Sequence, residues 1–260
     1  VFNAIQMNAF ITSIPLLVEK DQLFKAHSYS RTGSSLTFIV APLLGVWLFK
    51  VIGIHGVIII DISTFVIASV ILLTNSIPSV ENVRSKVRVF GNIFDSYKII
   101  MQNKELKSIL SVQSISNIFI STFLTIVVPL VLLRFNENAL SLVLFVGSSG
   151  SFIGSIVTAK LTINDGNRSN WTYLTLASIA FLIMISGFAL NEFVFAVSYF
   201  LILSLFPILG TVWGSQWQKK APEEYLGRLE ACKSLTLRTI QLMATFIAGL
   251  IMAKESSILN

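Results

Sequence analysis

A single cysteine, Cys232, stands in 260 residues, which excludes a disulfide framework within the chain and a cysteine-cluster metal site. The two histidines, His27 and His55, are too far apart in sequence to form a ligand motif. Charge is scarce as well: Asp, Glu, Lys and Arg supply 12% of the residues, against roughly 25% in ordinary soluble domains. No Walker phosphate loop is present, so ATP-driven work by this chain is not expected. An enzyme at a membrane face would want His, Asp or Glu clustered at one end of the apolar runs, and no such cluster occurs. Neither a cofactor nor a metal is expected.

What the chain has in quantity is apolar sequence. Hydrophobic residues make up 54% of it, in runs long enough to cross roughly 30 Å of hydrocarbon, which takes about 20 residues of helix. A transmembrane barrel would show short segments of alternating polarity instead. The expected fold class is an all-α polytopic membrane protein. Eight spans are read, at about 1–17, 28–50, 52–74, 108–133, 139–161, 170–190, 192–217 and 230–253. The first residue, Val1, already lies inside an apolar run, and the sequence reads as a piece of a longer protein.

Cations set the orientation. Fifteen of the nineteen fall in alternate loops, among them Lys20, Lys25 and Arg31, then Arg84, Lys86 and Arg88, and finally Lys219, Lys220, Arg228 and Lys233. Those loops are expected to be cytoplasmic, in a multi-pass protein of the cytoplasmic membrane. The net charge of +6 then needs no nucleic acid to explain it. The opposite turns, "KVIGIHG", "RFNENALS" and "ALNE", are short. In the long connection, Phe90, Ile93, Phe94, Tyr97, Ile100 and Met101 recur at helical spacing, as in a helix lying in the headgroup layer.

Two charged elbows are alike. "WGSQWQKKAPEEYLGRLEACKS" starts at Trp213, and "VEKDQLFKAHSYSR" starts at Val18. Aligning Leu23 with Leu226, an offset of 203 residues, brings Asp21 onto Glu224 and Lys25 onto Arg228. Six spans lie between the copies. A parallel repeat of six spans relates the two halves of major facilitator transporters.

The stretch from "IPLLVEKDQLFKAHSYSRTGSS" to "IIIDISTF" resembles helices four to six of major facilitator exporters in the macrolide-efflux branch. "GNIFDSYKIIMQNKELKSIL" resembles their amphipathic linker, and "QKKAPEEYLGRLEACKSL" their loop between helices ten and eleven. Glu19 stands where a Pro is usual there, and His27 where an Asn is usual. The resemblance implies two pseudo-symmetric six-helix halves, truncated here to about helices four to eleven of twelve. Residues 1–76 would belong to the first half, 77–107 to a cytoplasmic linker and 108–260 to the second half. It further implies a monomer in the lipid bilayer that exports a small amphipathic substrate by alternating access, with protons as coupling ion. A lysophospholipid flippase-like transporter and a non-functional remnant are the alternatives.

By the same resemblance, the first, fourth and seventh spans line the cavity. They offer Gln6, Gln113, Asn117, Trp213, Gln216 and Trp217, and amides with aromatics suit a large amphipathic ligand better than a small ion. Trp213 and Trp217 also fit an interfacial aromatic belt. Asp61 and Arg238 are charges inside spans, where each needs a partner, water or a role. In the elbows, Asp21 with Lys25 and Glu224 with Arg228 are spaced to pair along a helix and to latch a cytoplasmic gate. Gly147, Gly150 and Gly154 are read as close-packing positions, and Pro42, Pro129 and Pro207 as kinks.

Overall fold

The structure, a computed structural model, describes residues 2–74, 89–161 and 163–259. Eight α-helices run in order: α1 (Phe2–Leu17), α2 (Leu23–Thr74), α3 (Val89–Gln102), α4 (Lys104–Arg134), α5 (Glu137–Lys160), α6 (Arg168–Gly187), α7 (Glu192–Lys220) and α8 (Leu226–Leu259). There is no strand among the described residues. Asparagine starts three of the helices: Asn103, Asn136 and Asn191 accept hydrogen bonds from the otherwise unpaired first-turn N–H groups of α4, α5 and α7. Glu137 and Glu192 in the first turns, with Lys160, Lys219 and Lys220 in the last, oppose the helix dipoles.

Six segments are long and apolar enough to cross a membrane: Trp47–Ile71, Lys104–Arg134, Glu137–Lys160, Arg168–Gly187, Glu192–Lys220 and Glu223–Met252. Two of the eight expected spans fall outside this set. α1 has only sixteen residues. The α2 stretch before Trp47 carries Lys25, His27, Arg31 and several hydroxyls, which lower its hydropathy. The turn expected at "KVIGIHG" shrinks to one residue, because helix is assigned on both sides of Gly53. Gly53 has φ 66° and ψ 179°, a backbone region essentially reserved for glycine. By contrast, helix is continuous across Pro129 and Pro207.

α5 packs on α7, α4 on α8, and α2 on both α5 and α7. The α5–α7 contact is backbone to backbone: a Cβ on Gly150 would strike the Phe200 carbonyl, and one on Gly154 the Ser204 carbonyl. One core cluster joins Ile100 of α3 to Leu106, Leu110, Trp217, Leu226 and Leu229 at the elbow end. Another, with Val127, Val131, Val143 and Phe195, fills the far end. Around the outside, Phe119, Phe145, Phe181, Leu242 and Phe246 are exposed, a surface that suits lipid and not water. Phe94 and Tyr97 of α3 are exposed as well, whereas its Ile100 is fully buried. Arg84, Lys86 and Arg88, and the side chains of Pro42 and Phe90, lie outside the described residues.

Candidate functional site

The two elbows end alike. α2 starts at Leu23 and α8 at Leu226, both buried, so the aligned residues occupy the same helical position in each copy. The elbows also touch: Lys20 Nζ lies 2.8 Å from Glu223 Oε1, with both side chains largely in solvent. Asp21, Lys25, Glu224 and Arg228, expected to form the latch, are all exposed in the same two elbows. Lys25 lies over the Tyr29 ring, 5.9 Å from its centroid.

Between α2 and α8, bordered by α1, α4 and α7, is a cavity of about 280 Å³. α2 contributes His27, Ser30, Arg31 and Ser34; α8 contributes Glu230, Lys233, Ser234 and Leu237. These are the same four positions in each helix, displaced by 203 residues, the offset that aligned the elbows. The repeat therefore reaches past the loops and gives the cavity two opposed walls.

Each wall is anchored differently. His27 Nε2 and Gln218 Oε1 of α7 are 2.8 Å apart, and Gln218 Nε2 donates to the Ile11 carbonyl of α1 at 2.6 Å. That second bond turns the amide oxygen toward His27, so Nε2 of the imidazole carries the proton and donates it. Two glycines on α7 make room for this wall. A Cβ on Gly214 would sit 2.9 Å from the His27 ring, and one on Gly210 would sit 2.9 Å from the Arg31 guanidinium. On the opposite wall, Lys233 pairs with Glu230 at 2.8 Å, both nearly buried, and its ammonium lies 4.8 Å above the Trp217 ring.

Arg31 differs from the other charges. Its side chain is exposed, and it faces the cavity. No carboxylate among the described residues pairs with it. Glu230, the one acid on the lining among the described residues, is engaged by Lys233. Neither Arg31 nor Lys233 stood out in the sequence, where both counted as loop cations. Their signal was position: eight and seven residues past the start of a helix, or roughly 11–12 Å along its axis.

Of the expected cavity residues, Gln113, Asn117 and Trp213 line this space. Asn117 also donates to the Leu237 carbonyl at 2.8 Å, tying α4 to α8. Gln113 Oε1 is buried without a hydrogen-bond partner among the described residues. Gln216 lies instead in a separate polar cleft with Lys104, Arg168 and Lys219. Trp217 is fully buried in the elbow-end core. The Gln6 side chain lies outside the described residues. Asp61, on α2 beyond Gly53, and Arg238, on α8, are both exposed, and no ion pair joins them among the described residues.

Comparison with known proteins follows the same lines. The Major Facilitator Superfamily model matches residues 1–231. Macrolide efflux protein A of Enterococcus faecalis is 28% identical over 225 residues, covering 83% of this chain and 68% of that protein. The protein of the same name from Streptococcus pyogenes is 28% identical over 225 residues, covering 83% of this chain. The chain spans about half of the streptococcal protein, 54% of its length. No solved structure matches the chain significantly.

Proposed function

The chain belongs to the Major Facilitator Superfamily, and from that premise we propose that it works as a secondary active exporter. It moves a hydrophobic or amphipathic compound, macrolide-like in size and character, outward across the cytoplasmic membrane by alternating access. The observation that carries this reading is the cavity between α2 and α8, whose walls are the same four positions of two repeat-related helices. Opposed, equivalent walls are what two halves rocking about a shared site require. The similarity to two macrolide efflux proteins supports efflux as the direction.

The remaining assignments belong to the same proposal. Residues 1–76 form part of the first half, 77–107 the linker and 108–260 most of the second half. The elbows face the cytoplasm, where cation-rich loops are retained. Protons drive the exchange, and the protein works as a monomer in the bilayer, without cofactor and without catalysing a reaction of its own.

The test is accumulation of a panel of labelled amphipathic compounds, a macrolide among them, in cells with and without the full-length gene. At least one compound should accumulate less when the gene is present, and a protonophore should abolish the difference. No change for any compound sinks the reading.

A further inference from the structure

We propose that the cavity between α2 and α8 binds an acidic headgroup, so that the ligand is an amphiphile carrying a phosphate or carboxylate, held by Arg31. The inference rests on the transport reading of the cavity and selects among the compounds that reading allows.

Charge decides it. Among the described residues, the lining carries Arg31 and Lys233 against one carboxylate, Glu230. Glu230 is committed to Lys233 at 2.8 Å, and that ammonium also rests on Trp217. His27 is committed to Gln218. Arg31 is left as the cation facing open space with no anion beside it among the described residues. Arg31 is exposed to the cavity at membrane depth, where water or a bound anion must solvate its charge. Its planar fork matches the two oxygens of a carboxylate or phosphate. The Ser30 hydroxyl adds a hydrogen-bonding group beside the same space, while Ser34 donates to the Ser30 carbonyl.

The rest of the lining fits the apolar end of such a ligand. Phe10, Ile14, Ile120 and Trp213 border the cavity alongside the polar groups. A cationic amphiphile would instead meet Arg31 with like charge. α7 is built around this arrangement, since the absent side chain of Gly210 is what admits the guanidinium.

The experiment uses the purified full-length protein in neutral phosphatidylcholine nanodiscs and titrates tryptophan fluorescence with three matched twelve-carbon probes. These are dodecyl phosphate, dodecyltrimethylammonium and neutral monolaurin, with inorganic phosphate as a fourth arm. Dodecyl phosphate should bind about tenfold tighter than its two analogues, the scale of a charge-assisted pair. R31Q should erase that preference while monolaurin still binds, R31K should keep most of it, and W213F should lose most of the signal. Equal affinities for the three probes overturn the proposal. So do an unchanged preference in R31Q, and loss of monolaurin binding in both Arg31 variants, which would make the residue structural. Inorganic phosphate binding as tightly as dodecyl phosphate would overturn the amphiphile. Binding through Arg31 with no compound exported would leave the site standing and remove the transport reading.

Discussion

Lys20 and Glu223, the first from the α1–α2 elbow and the second from the α7–α8 elbow, meet at 2.8 Å across the two copies of the repeat. The contact joins the end of one helix pair to the end of the other. It lies one residue to the side of the acids that sequence spacing pointed to, Asp21 and Glu224. Pairs within one helix can stiffen an elbow, but a pair between elbows can hold them together.

If that contact helps hold the elbow end closed, reversing one charge should shift the resting conformation. K20E and E223K are each expected to change the export rate about two- to fivefold, the range a solvent-screened pair supports. The double variant should return toward the parent. Identical rates in all four proteins would reduce the pair to surface decoration.

Glu230 and Lys233 are almost wholly withdrawn from solvent. Removing one partner leaves the other charged and unpaired, so E230Q should lower stability by about 3–5 kcal/mol, read as a fall in the thermal unfolding midpoint in detergent. The double variant E230Q/K233M should recover most of the loss. A single variant as stable as the parent would mean that water reaches the ammonium.

Two glycines that look alike in the sequence should respond differently to alanine. At Gly154 the new methyl meets the Ser204 backbone carbonyl, which cannot move without shifting α7. G154A should cost about 1–3 kcal/mol. At Gly210 the methyl meets the far end of Arg31, which can swing into the cavity. G210A should leave the unfolding midpoint nearly unchanged. Equal losses would show that Arg31 is as rigid as backbone.

The bond between His27 and Gln218 extends to Ile11 and so ties α2, α7 and α1 together. H27A leaves the Gln218 oxygen buried and unpaired, at a cost of about 1–3 kcal/mol. Adding Q218A should cost less than the sum of the single changes, because the two residues share one interaction. Strict additivity in thermal unfolding would mean that the bond contributes nothing.

Much of this was legible in the sequence because it depends on local pattern. Apolar runs place the helices, and the elbow alignment paired Leu23 with Leu226, the first residues of α2 and α8, although the spans themselves were read from about 28 and 230. What depends on which helix covers which face was not legible. Trp213 and Trp217 are four apart and about 40° around the helix, yet the cavity edge passes between them and Trp217 belongs to the core. Arg31 and Lys233 read as loop cations because a helix can begin well before its apolar run does. For His27, only the fold shows the imidazole bonded to Gln218.

The two cavity walls correspond in position but not in chemistry. His27 stands where the other copy has Glu230, Ser30 where it has Lys233, and Arg31 where it has Ser234. A frame with near-twofold symmetry would offer any occupant two poses related by a half-turn, equal in energy. Unlike groups at like positions remove that degeneracy. A guest with distinguishable ends must then dock one way round, its head to α2 and its tail away from it. The repeated frame supplies the symmetry of such a vessel, and the unlike side chains supply its sense of direction.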